Sequence, residues 1–392
     1  MRIALVSHCA PPEGFGGIER YTHTVVEALA ASGHQVLWVA AAESGRGPAL
    51  RKFEQSGVSH VRVSHGGASG LLTAVYNKDT TQACVAELRS FQPEVVHLQH
   101  LLGFSPGLIP RAAELGARVF LSVHDHFLLC PRLHLLDQDG TPCRGPGLAV
   151  CARCLGRGRD PLRRTLAPLF LRWYRHTLGR AFRSLEALLL PAEHLAAPLA
   201  AAFPGVGLRR LNHFAPSGVS PRTRPPGKRP RLLYAGGTQV HKGFDVLRQA
   251  LGLLRKRDFE LLTPGLDLGL PGCRALPLLD FEAMDELWKT IDGLLVPSLW
   301  PEIGPLVVLE ALARGVPYLG SDLGGIAELH GRHQGGYLVH PGDAEALADG
   351  ISHLVETLAA GTLPECRGTL PTLGDHLRRL EGIYRAGGPT KR

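Results

Sequence analysis

The chain has 392 residues, 44% of them hydrophobic and 20% charged, with a formal net charge of +8. That length exceeds one ordinary core and calls for two α/β domains, and the composition excludes wholesale disorder. No apolar run reaches the roughly 18 residues that span a bilayer. The basic excess alone does not separate an anionic ligand from a membrane surface or nucleic acid.

The first residues, Met1 to His8, hold an apolar run too short for a signal peptide, and it breaks at Pro11-Pro12. The expectation is a cytoplasmic protein whose eight cysteines are thiols or metal ligands, not disulfides. Residues 3–7 read as a short buried parallel strand, followed by a Gly/Pro-rich loop to Gly17 and an amphipathic helix from Ile18 to Ala31 that stops at Gly33. Apolar runs at Gln35–Ala41, Val61–Val63, Val95–Leu98 and Arg118–Val123 alternate with helical stretches at Thr80–Phe91 and Pro106–Leu115. That alternation predicts a parallel sheet with right-handed crossovers. Residues 126–160, rich in Cys, Gly and Arg, interrupt it. A long helix over Leu162–Leu185 and a strand at Ala187–Leu190 follow, then a proline-rich linker at Asn212–Pro230.

The second half restarts the pattern. Arg231–Tyr234 is a strand, Gly236–Gly243 a loop and Phe244–Arg255 a helix. Later strands fall at Ile291–Val296, Pro317–Gly320 and Tyr337–Val339, and helices at Pro305–Arg314, Asp343–Leu358 and Leu373–Tyr384. The fold expected is α/β, two Rossmann-like doubly wound domains facing across a cleft. The first is 1–211 with the Cys-rich insertion at 126–160, the linker is 212–230, the second is 231–370, and 371–392 form a C-terminal helix and tail.

Four segments carry chemistry. Gly14-Phe15-Gly16-Gly17, between a strand and its helix, lets backbone N–H groups approach an anion. The plainer alternative is a tight turn, and a nicotinamide site fits poorly because the glycines are not spaced G-x-G-x-x-G. His124-Asp125-His126 follows a strand at its carboxyl edge, facing the cleft, with a buried structural histidine as the alternative. Gly236-Gly237-Thr238-Gln239-Val240-His241-Lys242-Gly243 brings a lysine to a second phosphate-type loop, against the alternative of a solvated lysine beside a turn. Glu302 precedes the helix that begins at Pro305, and Glu310 lies inside its apolar run, where a carboxylate costs several kcal/mol, roughly, unless hydrogen-bonded. Two such carboxylates suit the hydroxyls of a sugar and a ribose; the alternative is a glutamate paired to a nearby cation.

Together these segments resemble the GT-B retaining glycosyltransferases of family four, the glycogen-synthase-like and mannosyltransferase-like group. The likeness runs along nearly the whole chain. Its most specific part is the Glu302-x7-Glu310 spacing in a Pro-Ser-x-x-Pro-Glu…Glu-Ala-Leu-Ala-x-Gly-Val-Pro context, with Gly324-Gly325-Ile326-Ala327-Glu328 downstream. The resemblance implies transfer of a sugar from a UDP- or GDP-sugar to a saccharide or lipid-linked acceptor with retention of configuration, in cell-surface polysaccharide or glycoconjugate synthesis. It implies that Gly17 approaches the donor diphosphate, His124 contacts the donor sugar, Lys242 holds the leaving group, Glu302 the sugar hydroxyls and Glu310 the ribose. Catalysis would rest on His124, Lys242 and Glu302. Donor binding would involve Gly16, Gly17, Gly236, Gly237, Thr238, Lys242, Glu302, Ile303, Gly304, Pro305, Leu306 and Glu310. Two positions depart from the family pattern: Gly237 stands where an arginine is usual, and Pro305 where many members have glycine. No Asp-x-Asp metal grip lies near either phosphate loop, so no catalytic cofactor is expected.

Cys130, Cys143, Cys151 and Cys154 form C-x12-C-x7-C-x2-C, and four thiolates with a C-x2-C bite suit a structural Zn2+, with reduced thiols as the alternative. The cluster resembles an insertion found after the His-Asp motif in a subset of the family. From Arg157 to Arg183 eight arginines interleave with Leu, Phe170, Trp173, Tyr174 and Phe182. That helix suits either peripheral contact with the inner face of an anionic membrane or a solvated basic face over a buried apolar one. Competing functions are a GT-B sugar-nucleotide epimerase, a non-catalytic sugar-nucleotide binder, and a metal-stapled nucleic-acid-binding protein. The last conflicts with the dispersed arginines and with Glu302 and Glu310, which would repel phosphodiesters, so no nucleic-acid partner is expected.

Overall fold

The computed structural model describes residues 1–44, 50–66, 76–137, 139–143, 147–156, 161–219 and 229–386. Its first lobe is built on strands β1 (Arg2–Ser7), β2 (Gln35–Ser44), β3 (Leu50–Gln55), β4 (Val58–Gly66), β5 (Val95–Leu98), β6 (Arg118–Ser122), β7 (Ala187–Leu190) and β8 (Leu208–Arg210). Their order across the sheet is β3-β4-β2-β1-β5-β6-β7-β8, parallel except for β3. In β1, Ile3 and Leu5 join one core and Ala4 and Val6 the other, all fully buried. Burial on both faces explains why this strand reads as a continuous apolar run.

The second lobe has β9 (Arg231–Leu233), β10 (Glu260–Pro264), β11 (Cys273–Leu276), β12 (Gly293–Val296), β13 (Tyr318–Ser321) and β14 (Gly336–Val339), in the order β11-β10-β9-β12-β13-β14. All its pairings are parallel. The two Rossmann-like lobes face each other across a cleft. Strands β3, β8, β10 and β11 are additions to the sequence reading. β3, β8 and β11 are short or largely exposed, as in the pattern of Leu50–Gln55, so their composition carries little apolar signal, while β10 is a buried strand of only five residues with Leu261 and Leu262 at its centre.

The C-terminal helix Leu373–Arg385 returns to the first lobe. Its Leu380 and Tyr384 are buried in the core that also holds Tyr21, Val25 and Phe120. Three buried polar contacts fix it there. Tyr384 Oη lies 2.7 Å from His97 Nδ1, Tyr21 Oη 2.9 Å from His376 Nε2, and His376 Nδ1–H donates to the Asn212 carbonyl at 2.7 Å. The helix therefore straps the linker end of the second lobe onto the sheet of the first.

Candidate active site

In the first lobe the chain leaves β1 at Ser7 and enters the helix Gly17–Ala31 with Gly16 at its cap. A Cβ on Gly16 would lie 2.6 Å from Glu19 Oε2, so only glycine fits without displacing that buried carboxylate. Gly17 faces the other lobe: the place of its missing Cβ is 3.7 Å from Leu306 Cδ1. His124 follows β6. Its Nε2–H donates to Gln99 Oε1 at 2.8 Å, and its ring stacks on His213 with centroids 5.5 Å apart. Burial first, then the neighbouring histidines His213 and His100, hold its pKa well below the ordinary range, so the imidazole is neutral. His213 Nδ1–H donates to the Gly304 carbonyl at 2.7 Å, which ties His124 to the loop ahead of the helix Leu306–Ala313.

In the second lobe Tyr234 Oη donates to the Gly237 carbonyl at 2.7 Å and shapes the loop, while Thr238 is exposed. The Tyr234 ring occupies the space where a Gly236 Cβ would stand. Gly243 has φ +73°, and a Cβ there would fall 1.7 Å from the Pro297 carbonyl oxygen. Lys242 Nζ pairs with Glu302 Oε1 at 2.9 Å, and Ser298 Oγ donates to the same oxygen at 2.7 Å. Nζ also lies 4.8 Å from the Trp300 ring centroid. Burial pushes the Glu302 pKa up, but Lys242 and the Ser298 hydroxyl outweigh it and hold the carboxyl below its ordinary value.

Glu310 has a different set of neighbours. Arg20, from the first lobe, places Nε 3.1 Å from Glu310 Oε1, and Trp288 Nε1–H donates to Oε2 at 3.2 Å. Arg20 also grips Asp285 through Nη2 at 2.7 and 2.9 Å, and Arg314 Nη2 reaches Asp285 at 2.7 Å. Burial dominates here and raises the Glu310 pKa despite Arg20 and Arg314. A cavity lined by Arg20, Phe214, Ser217, Lys289, Glu310 and Arg314 opens beside it.

The structure thus brings Lys242 and Glu302 into direct contact, and links His124 to Gly304 through His213. Ile303 packs into the first lobe's core, Pro305 caps the helix rather than sitting in its first turn, and Leu306 bridges both lobes. Sequence reasoning gave no role to Arg20, His213, Ser298 or Trp300, and named His126 only as part of the His124-Asp125-His126 segment. His126 Nε2–H donates across the cleft to the Pro301 carbonyl at 2.8 Å, and its ring meets Trp300 edge-on at 5.6 Å. It also missed the lobe-to-lobe grip of Glu328, which accepts from Glu193 N and His194 N, each at 2.8 Å, and from His194 Nδ1 at 2.7 Å. Burial raises the Glu328 pKa, but these donors outweigh it and bring it down to about 2.

The structural zinc expected at Cys130, Cys143, Cys151 and Cys154 is not supported. Among the described residues no group of three or more His, Cys, Asp or Glu side chains is placed to hold a metal ion. Arg132 Nη1 stands 3.7 Å from Cys154 Sγ and Arg175 Nη2 3.6 Å from Cys151 Sγ. Burial is the largest influence on the Cys130 and Cys151 thiols and pushes both up. The C-x2-C spacing sits on the helix Leu148–Gly156, where i and i+3 residues share a face without any ion to explain it.

Two facing Rossmann-like lobes, with a phosphate-type loop and the carboxylates Glu302 and Glu310 of an otherwise apolar segment at their cleft, are the GT-B arrangement. "Glycosyltransferase Family 4" matches residues 15–205 and "Glycosyl transferases group 1" matches residues 229–357. The chain is a GT-B glycosyltransferase of the family-four, glycogen-synthase-like group. It is 24% identical to a glycogen synthase of Mycobacterium tuberculosis over 92% of this chain and 87% of that protein. Among solved structures it resembles a sucrose-phosphate synthase from Thermosynechococcus elongatus, with TM-score 0.62 at 18% identity, covering 98% of this chain and 94% of that one. It also resembles Anabaena HepE in complex with UDP-glucose, with TM-score 0.64 at 13% identity, covering 98% of this chain and 100% of that one. No helix among the described residues is long and apolar enough to cross a membrane.

Proposed function

We propose that the chain transfers a hexosyl or related sugar from a UDP- or GDP-sugar to a saccharide or lipid-linked acceptor with retention of configuration, in the synthesis of a cell-surface polysaccharide or glycoconjugate. The observation that carries this reading is the Lys242–Glu302 pair, 2.9 Å apart, which joins the turn after β9 to the loop after β12. The likeness to a UDP-glucose-bound structure supports the donor class.

In this reading the donor's C1–O bond breaks and its electron pair goes to the diphosphate oxygen. Lys242 and the backbone N–H group of Gly17 meet the charge that grows there. Glu302, kept ionised, accepts hydrogen bonds from donor sugar hydroxyls. His124, whose Nε2–H is committed to Gln99, keeps Nδ1 as an acceptor for a sugar hydroxyl near C1. The acceptor oxygen attacks the face the leaving group vacates, and its proton passes to the departing diphosphate. Glu310 takes the ribose hydroxyls from beside the Arg20 cavity. Because a lysine and a backbone donor supply the leaving-group contacts, transfer is expected to persist in EDTA.

The outward face of the helix Pro161–Phe182 exposes Leu166, Leu169 and Trp173 beside Arg172 and Arg180. An apolar strip flanked by arginines suits the anionic inner face of a membrane, where a lipid-linked acceptor resides. Co-sedimentation with anionic but not neutral vesicles is the expected result. The central test is nucleoside-diphosphate release and thermal shift across UDP-, GDP- and ADP-sugars. Stabilisation and slow release by one donor, lost in Glu302→Ala and Lys242→Ala, is expected. No stabilisation by any sugar nucleotide would overturn the reading, and stabilisation without release under any acceptor would leave a binder in place of an enzyme.

A further inference from the structure

The Lys242 ammonium is matched by the Glu302 carboxylate, so the pair is close to neutral before a ligand arrives. A sugar nucleotide brings a doubly ionised diphosphate, and a neutral pair cannot balance it. The loop offers no side chain at Gly237: its φ is +70°, and a Cβ would lie 2.6 Å from Gln239 Oε1. The neighbouring ring of His241 is placed differently. It lies 4.8 Å from the Trp300 ring, the same ring that carries Lys242 Nζ at 4.8 Å. On its other side it stacks on His134 of the Cys-rich insertion, with centroids 5.3 Å apart and planes within 17°. Leu299 N–H donates to the His241 carbonyl at 2.8 Å and pins this turn to the Glu302 loop. The imidazole nitrogens of His241 make no hydrogen bond among the described residues.

We propose that His241, clamped between Trp300 and the insertion's His134, is the second polar contact for the donor diphosphate beside Lys242 and binds it as the imidazolium. This rests on the sugar-nucleotide reading above. The groups facing the ring are Lys242 on its own turn, Glu302 and Trp300 on the loop after β12, and His134 on the insertion, with Arg132 close to His134. Without an anion, burial first and then Lys242 and His134 bring the His241 pKa down to about 4, with Glu302 opposing. The ring is therefore neutral near pH 7 until the diphosphate supplies the opposite charge, and donor binding takes up a proton. The insertion then has a function that needs no metal: His134 and Gly140 (the place of whose Cβ is 3.2 Å from Val240 Cγ1) wall the leaving-group pocket from the first lobe.

Calorimetric titration with UDP-glucose and GDP-mannose tests this, because diphosphate diesters do not themselves titrate near neutrality. Runs at pH 7 in buffers of different ionisation enthalpy give the protons taken up. Wild type should bind one donor with net proton uptake. His241→Asn, keeping a similar shape, should bind it about 10- to 100-fold more weakly and lose the uptake. His134→Ala should weaken binding less while lowering the uptake. Thermal melts of the free variants establish that they are folded, and His241→Gln serves if the asparagine variant is not. Unchanged affinity or unchanged proton uptake in a folded His241 variant overturns the proposal. Wild type that binds no sugar nucleotide instead overturns the functional reading beneath it.

Discussion

Glu302, in the loop ahead of the helix Leu306–Ala313, and Glu310, inside that helix, lie eight positions apart and are each only 7% exposed, yet their environments push them in opposite directions. Glu302 meets an ammonium and a hydroxyl from its own lobe, and these overcome burial. Glu310 meets a guanidinium that it shares with Asp285 and an indole N–H, and burial prevails. The difference teaches that burial alone does not set the charge state of a carboxylate. What counts is whether the partner is dedicated, as Lys242 is, or divided, as Arg20 is. In the proposed reading it also separates two roles: Glu302 meets the donor sugar, while Glu310 combines the ribose contact with a link between the lobes through Arg20.

The most damaging way to break the comparison is to remove the dedicated pair. Lys242→Ala and Glu302→Gln are each expected to lower kcat by about 100- to 1000-fold, since each removes a preorganised polar contact of the transition state. Glu310→Gln should act mainly on donor KM, by about 10-fold. Steady-state kinetics with the donor found by the panel separate the two patterns, and equal kcat losses at both sites would erase the distinction drawn here.

A smaller effect is expected from the divided partner. Arg20→Ala leaves Glu310 and Asp285 without their shared cation and should destabilise by about 2 kcal/mol in urea unfolding. Much of that loss should be recovered in Arg20→Ala with Glu310→Gln, because the neutral amide no longer needs the charge. Simple additivity in that cycle would mean that Arg20 and Glu310 are not coupled.

The pH dependence sharpens the contrast further. The lowered Glu302 pKa contributes stability that is present above the ordinary carboxylate value and is lost as pH falls through the lowered one. The raised Glu310 pKa contributes stability below the ordinary value that is lost as pH rises through the raised one. Unfolding curves across the acid range should therefore change slope in opposite directions for Glu302→Gln and Glu310→Gln. The smallest effect is expected at the interlobe grip. Glu328, held at about 2 instead of 4.5, gives stability present above pH 4.5 and lost as pH falls toward 2, and Glu328→Gln should flatten that window.

How much of this was legible in the residues depended on whether a feature is local. The strand, Gly-rich loop and helix at each lobe's start announce themselves by apolar runs, turn glycines and helix ends, as at Ile3–Val6 and Gly236–Gly243. The Glu-x7-Glu spacing located both carboxylates. The weak strands Leu50–Gln55 and Cys273–Leu276 escaped, because their side chains are largely exposed and alternate poorly. The C-x2-C spacing misled, because a short helix places i and i+3 side chains together whether or not an ion is there.

The sequence by itself determined two doubly wound lobes, the glycine loops and the carboxylates, because each depends on backbone preference and on periods of two or 3.6 residues. Only the tertiary structure decided that Arg20 crosses to Glu310, that the helix Leu373–Arg385 returns to the first lobe, and that His134 stacks on His241. An apolar face says that a helix will be buried but not against what, and a charge says that a partner is needed but not which one. Those choices are made when distant segments close on one another, where packing and desolvation select among partners the linear order leaves equivalent.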